Sequence, residues 1–209
     1  MKKKKLNIIY EDKNIIVVDK PAHLLTIATE KEKERTLYHE VLEYEKCKHK
    51  SNRIFIVHRL DKDTSGLVLF AKSEKYKEFF QNNWSHVKRE YIALIEGVPS
   101  KKHDIIKSYL KENKNLMTYS TKNKKEGKEA ITEYEIIKSN KSISLVKINI
   151  LTGRKNQIRV HMAEMGHPIV GDKKYGAKYN FLKRMALHAN KLEYKDYKFE
   201  SEVPFSIDI

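Results

Sequence analysis

The stretch "VHRLDKDTSG", residues 57 to 66, sets Arg59 and two acids, Asp61 and Asp63, side by side in a chain whose 43 Lys and Arg outnumber 28 Asp and Glu. Other chemistries lack their residues. The seven glycines are scattered, so no glycine-rich loop supports binding of a nucleoside triphosphate or a dinucleotide. The histidines form no HExxH pattern, Cys47 and His49 stand apart from other ligand types, and no metal site is expected. Ser65 lacks the Gly-x-Ser-x-Gly surround of a nucleophile elbow. Asp63, Thr64, Ser65 and Gly66 read as turn chemistry, short side chains satisfying the local backbone. Arg59 and Asp61 remain. By themselves they read as a loop ion pair, worth no more than about 1 kcal/mol when exposed.

The elements around them decide how such a carboxylate is presented. "LNIIY" and "IIVVDKP" flank the turn "EDKN" as a hairpin that ends at Pro21. Leu37, Val41 and Tyr44 repeat at helical spacing across residues 36 to 48. "RIFIV" then predicts a buried strand and "LVLFAK" a second one, which places Asp61 in the connection between two strands, where scaffolds expose functional groups. Ser73 is positioned to cap a helix carrying Tyr76, Phe79 and Phe80, with Trp84 extending that face. "REYIALIEGVP" is a strand closed by Gly97 and Pro99. Residues 101 to 129 form a lysine-rich stretch that suggests a projecting hairpin with a mobile basic tip. "AITEYEIIK" and "ISLVKINIL" are alternating strands, Asn156 is placed to cap the helix "QIRVHMAEM", and a further strand runs around "MALHANKLEY". Strands dominate, and residues 1 to 209 read as one α/β (α+β) domain on a mixed, largely antiparallel sheet with flanking helices.

The net charge of +15 makes a polyanion the natural partner, although a lysine-rich solvated surface would give the same count. A single cysteine excludes an intrachain disulfide and a cysteine-based cluster, and fits a reducing compartment. Met1 and four lysines lead into "LNIIYEDKNIIVV", which has neither the apolar core nor the cleavage site of a signal peptide. No apolar run approaches the roughly 20 residues that span a bilayer. A soluble, cytoplasmic protein is expected.

"HRLDKDTSGLVLFAK", "REYIALIEGVP" and "GRKNQIRVHMAEMGHPIVGDKKYG", in that order, resemble the RluA-type pseudouridine synthases. The resemblance runs from "YEDKNIIVVDKP" through "GKEAITEYEII" to "LHANKLEY", nearly the whole chain. It implies the fold of that catalytic domain and an isomerisation of RNA uridine in which the bond from uracil to ribose is cleaved, the base turned over and rejoined through a ring carbon. It implies no cofactor. Asp61 then matches the carboxylate that attacks the sugar or removes a proton from it. Arg159 matches its guanidinium partner, which favours the charged form. Tyr91 matches the tyrosine lying against the target uracil. Arg59 matches the arginine that helps extrude the nucleotide, a step that costs a few kcal/mol.

Two departures mark this chain. Lys155 and Asn156 stand where the commonest family form has Thr-His, and the small RNA-binding domain that precedes the catalytic domain in many members is expected to be absent. Recognition is therefore expected to use one cleft plus the basic stretch, with Lys122, Lys124 and Lys125 binding a stem-loop of ribosomal or transfer RNA. A monomer is expected. The alternatives are a catalytically inactive RNA-binding or ribosome-assembly factor with the same fold, and a nucleoside glycosidase, for which paired carboxylates or a bound ion are lacking.

Overall fold

A computed structural model of the chain describes residues 6–30 and 32–206, so the lysines at positions 2–5 of the basic N-terminal run lie outside the described residues. In chain order the elements are β1 (Ile8–Glu11), β2 (Ile15–Lys20), α1 (Leu37–Lys48), β3 (Phe55–Ile56), β4 (Ser65–Ala71), α2 (Glu74–Asn82), β5 (Lys88–Glu96), β6 (His103–Glu112), β7 (Thr118–Thr121), β8 (Lys128–Ser139), β9 (Ile143–Ile150), α3 (Gln157–Glu164), β10 (Leu187–Tyr194) and β11 (Tyr197–Glu200). The class is α+β with a largely antiparallel sheet. The chain forms two compact units: the first runs up to Val87 and takes in Ala189–Glu202, and the second comprises Lys88–His188 and the residues from Val203 on.

The first unit begins with the expected hairpin. Asp12 Oδ1 accepts from the amides of Asn14 (2.7 Å) and Ile15 (2.8 Å), closing the turn from β1 into β2. β2 lies antiparallel to β4, Ile15 opposite Ala71 and Lys20 opposite Gly66. Every residue of β4 is buried, and Leu67, Leu69 and Ala71 on one face pack with Ile15, Val17, Phe80, Leu192 and Phe199. Thr36 and Ser73 cap α1 and α2 by accepting from the amides of His39 (3.1 Å) and Tyr76 (3.4 Å). Gly66 is required by its surroundings. Its φ is +115°, and a Cβ there would stand 2.3 Å from the carbonyl oxygen of Ala189. The glycine of the motif therefore serves close strand approach as well as the turn before it.

"RIFIV" does not form the full buried strand the sequence suggests. Only Phe55 and Ile56 pair with β4, opposite Ala71 and Phe70, and both are half-buried. The amide of Leu69, next along that edge, donates instead to the Nε2 of His58 at 3.0 Å, so the ring of His58 ends the ladder and frees the chain to turn toward Asp61.

In the second unit the strands follow the order β5-β9-β8-β6-β7, each pair antiparallel. Leu94, Ile95, Val146, Ile148, Met162 and Ile169 are fully buried at its core. The lysine-rich stretch is more structured than the expected hairpin and basic tip. β6 pairs with β8 from His103 to Leu110 and with β7 from Tyr109 to Glu112, so the stretch is three strands joined by two short turns. Exposed and half-buried residues alternate along β6 from His103 to Ser108, a period-two pattern masked in the sequence by the overall charge. Among the described residues no helix is long and apolar enough to cross a membrane.

Candidate active site

Asp61 is half-buried in the connection from β3 to β4. The amide of Thr64 donates to its carbonyl at 3.2 Å, which closes a turn over Lys62 and Asp63. Both neighbours in the chain are tied to residues far away in sequence. The Thr26 hydroxyl donates to the Leu60 carbonyl (2.8 Å) and accepts from the Leu60 amide (3.2 Å). The Lys20 ammonium, fully buried, donates to the carbonyls of Lys62 (3.0 Å), Pro21 (3.0 Å) and Leu24 (2.7 Å). Burying an ammonium is costly unless its donors are met, and three carbonyls meet them here. The main chain on each side of Asp61 is thus fixed by a buried polar group, which holds this carboxylate-bearing backbone in one place. Arg59, two residues earlier, is exposed. His58 stacks on Trp84 with ring centroids 4.3 Å apart, so Trp84 serves the motif loop rather than simply extending the face of α2.

Arg159 and Tyr91 belong to the second unit. Arg159 lies buried on the first turn of α3. Its Nε and Nη2 donate to the two carboxylate oxygens of Asp172 at 2.7 and 2.8 Å, and its Nη1 donates to Asn156 Oδ1 at 3.0 Å. The Tyr175 ring lies 4.9 Å from the guanidinium carbon. Three of its five N–H donors are thereby committed inside the unit, in the planar bidentate geometry that fixes a guanidinium most firmly. Asp172 is itself 3% exposed. Gly171 before it has φ +83°, and a Cβ there would stand 2.1 Å from the Arg184 carbonyl oxygen, so the "VGD" backbone reaches this position only with glycine.

Asn156 occupies the expected cap position of α3 but makes no side-chain cap bond. It sits in the left-handed region (φ +55°), which asparagine tolerates, and its side chain turns to Arg159 instead. Gln157 steadies the same loop. Its Oε1 accepts from the Thr152 hydroxyl (2.8 Å) and the Arg154 amide (3.0 Å), and its Nε2 donates to the Ile131 carbonyl (2.9 Å). Lys155, the other departure from the common motif, pairs with Glu112. Two residues beyond Arg159, the buried His161 ring lies between the hydroxyls of Thr132 (2.8 Å from Nδ1) and Ser108 (2.9 Å from Nε2). Burial pushes its pKa down to about 4 against a small upward pull from Glu164.

Tyr91 is half-buried in β5 opposite Ile148, packed against the core of the second unit. Lys122, Lys124 and Lys125 are exposed in the turn from β7 to β8, with the Lys124 ammonium 5.8 Å from the Tyr109 ring centroid. Arg59 and Asp61 thus share one loop of the first unit, whereas Arg159, Tyr91 and the three lysines are spread over separate elements of the second. Sequence reading missed Lys20, Thr26 and Asp172. Only the conspicuous "DKP" at the end of β2 and "VGD" before Asp172 signal them, and neither has a spacing that points to its partner. Among the described residues no group of three or more His, Cys, Asp or Glu is placed to hold a metal ion.

Comparison with known proteins identifies the family of the chain. Residues 14–164 match the family model described as RNA pseudouridylate synthase. The uncharacterized RNA pseudouridine synthase YhcT of Bacillus subtilis is 35% identical over 98% of this chain and 70% of its own length. The ribosomal large subunit pseudouridine synthase C of Rickettsia typhi is 37% identical over 95% of this chain and 68% of its own. Among solved structures, human RNA pseudouridylate synthase domain containing 4 superposes with a TM-score of 0.82 at 23% identity, covering 95% of this chain and 88% of that one, a likeness of fold. The sequence motifs, the fold and the relatives converge: the chain belongs to the RNA pseudouridylate synthase family, in its RluA-type branch, whose members are isomerases that convert uridine to pseudouridine.

Proposed function

We propose that this chain isomerises specific uridines of ribosomal or transfer RNA, in the cytoplasm and as a monomer without a cofactor, with Asp61 acting at the sugar of the target nucleotide. The observation that carries the reading is the pinning of Leu60 and Lys62 by Thr26 and Lys20, which immobilises the backbone on both sides of one half-buried carboxylate. Ribosomal RNA is favoured because similar proteins are named for the large ribosomal subunit. Arg159 is assigned to favour the ionised form of Asp61, and its bidentate hold on Asp172 supports a guanidinium kept in a single orientation. Tyr91 is assigned to lie against the uracil, Arg59 to aid extrusion of the nucleotide, and Lys122, Lys124 and Lys125 to contact phosphates.

The test is to incubate the full chain with total RNA lacking pseudouridine and to map the sites it modifies. New pseudouridine at discrete positions is expected with the wild-type chain and none with Asp61→Asn, while RNA affinity stays within about twofold because the basic surface is unchanged. Residual turnover above about a tenth of wild type would remove Asp61 from the chemistry. A wild-type chain that binds RNA and leaves uridine intact would mark an inactive binding factor.

A further inference from the structure

We propose that a pocket of about 500 Å³ beside the C-terminal end of α1, in the first unit, seats a single-stranded nucleotide flanking the target uridine. The inference rests on the RNA-modifying reading above. The pocket is lined by Tyr38, Lys46, Lys50, Asn52, Arg53 and Phe55, among others, and no carboxylate lines it. Lys50 and Arg53 are exposed and, among the described residues, form no ion pair. Lys46 meets Glu43 loosely at 3.5 Å. This contrasts with the larger basic cleft of about 640 Å³ in the second unit, where Lys111 and Lys155 are already matched by Glu126 and Glu112. That cleft also holds Lys128 and Arg154 but sets two carboxylates, Glu112 and Glu126, beside any entering phosphate, whereas no carboxylate lines the pocket at α1.

The other lining groups suit a base. Tyr38 and Phe55 are half-buried residues of the pocket lining, and their rings are the groups there on which a base would stack. The Tyr38 ring is braced by Phe70 at 6.4 Å between centroids. Asn52 is held by its Nδ2, which donates to the main-chain oxygen and the Oε2 of the buried Glu45, both at 3.2 Å. Its Oδ1 remains as an acceptor for a base N–H. The loop carrying these groups is itself fixed, since the Asn52 amide donates to the His49 carbonyl at 2.9 Å. Rings, two free cations and a fixed amide oxygen in one pocket form a set that recognises a nucleotide by stacking, charge and a hydrogen bond. Phe55 precedes Asp61 by six residues, a separation of at most about 20 Å. That distance equals roughly six stacked nucleotides at about 3.4 Å each. One RNA strand can therefore serve both places.

The experiment measures binding of a labelled single-stranded oligouridylate by the full chain across a range of salt, and so is read without reference to catalysis. Lys50→Ala/Arg53→Ala should weaken binding about tenfold and flatten the log-log salt slope by about 1.4, the loss of two phosphate contacts. Phe55→Leu, which keeps apolar bulk and removes the ring, should weaken it about fivefold or more with a smaller change in slope. Thermal midpoints of the variants within a few degrees of wild type establish that folding is not the cause. Affinity within twofold of wild type and an unchanged slope in the double variant would overturn the proposal, as would uridine monophosphate binding as tightly as the oligonucleotide. A chain that makes no pseudouridine but shows these losses would refute the isomerase reading alone. A chain that modifies RNA without these losses would refute the pocket alone.

Discussion

Lys20 and Asp172 are the two residues whose partners say most about how the site is held. Lys20→Met keeps the length and apolar stem of the side chain and leaves the carbonyls of Pro21, Leu24 and Lys62 without their donor. Each orphaned buried acceptor costs about 1 to 3 kcal/mol if it finds no water. Relaxation of the loop around Asp61 is the cheaper response. Turnover at saturating RNA should therefore fall at least tenfold, with KM nearly unchanged, and steady-state kinetics on a mapped substrate would show it. A parallel rise in KM would make Lys20 a binding residue instead of a positioning one. Asp172→Asn acts on the other unit. It leaves the Arg159 guanidinium buried without its bidentate counter-charge, at a cost of about 3 to 5 kcal/mol. Urea unfolding should register most of that loss, and a midpoint close to wild type would show that another group takes over the pairing.

At the scale of elements, α3 carries both Arg159 and a built-in pH dependence. His161 titrates near 4 in the folded chain and near its ordinary 6.5 in the unfolded one. Between those values the unfolded chain binds a proton that the folded chain refuses, so stability falls as pH drops through 6.5 and is level above it. The loss should reach about 2 kcal/mol by pH 5. Denaturant midpoints measured at neutral pH and near pH 5 would show it. In His161→Gln, which keeps a hydrogen-bonding side chain without the titration, this part of the slope should vanish. The elements themselves were largely legible. Apolar runs bounded by turn residues, strand alternation and helical spacing mark β1, β2, α1, β4, α2, β5, β8, β9, α3 and β10 within a residue or two. β3 was read too long because the ring of His58, a side chain, ends its ladder. β7 and β11 are four-residue strands whose pairing depends on neighbours, and no periodicity develops over so few residues. The motif residues were visible as spaced strings. Lys20, Thr26 and Asp172 were not, since a lysine bonded to a carbonyl 42 positions away, or a threonine to one 34 away, leaves no local pattern.

For the whole molecule, the net charge of +15 says that RNA is attracted and not where it lies. The structure sorts the lysines of the second unit into two kinds. Lys111 and Lys155 are matched by Glu126 and Glu112, whereas Lys122 and Lys125 are exposed in the turn after β7 and, among the described residues, pair with no carboxylate. A phosphate that meets a paired lysine must displace its glutamate, so that contact adds little net affinity; an unpaired lysine gives its full electrostatic contribution. Replacing Lys122, Lys124 and Lys125 by alanine should flatten the log-log salt slope for single-stranded RNA by up to about 2, at about 0.7 per phosphate. Replacing Lys111 and Lys155 should flatten it by well under 1, because lysines already matched by Glu126 and Glu112 make little net contact with phosphate. Isomerisation of bound substrate should be unaffected by the triple variant, as seen in single-turnover reactions at saturating enzyme. Fluorescence titrations at several salt concentrations compare the two sets directly. Equal flattening would mean that RNA opens the ion pairs of the cleft on binding and contacts Lys111 and Lys155 as well as the turn after β7.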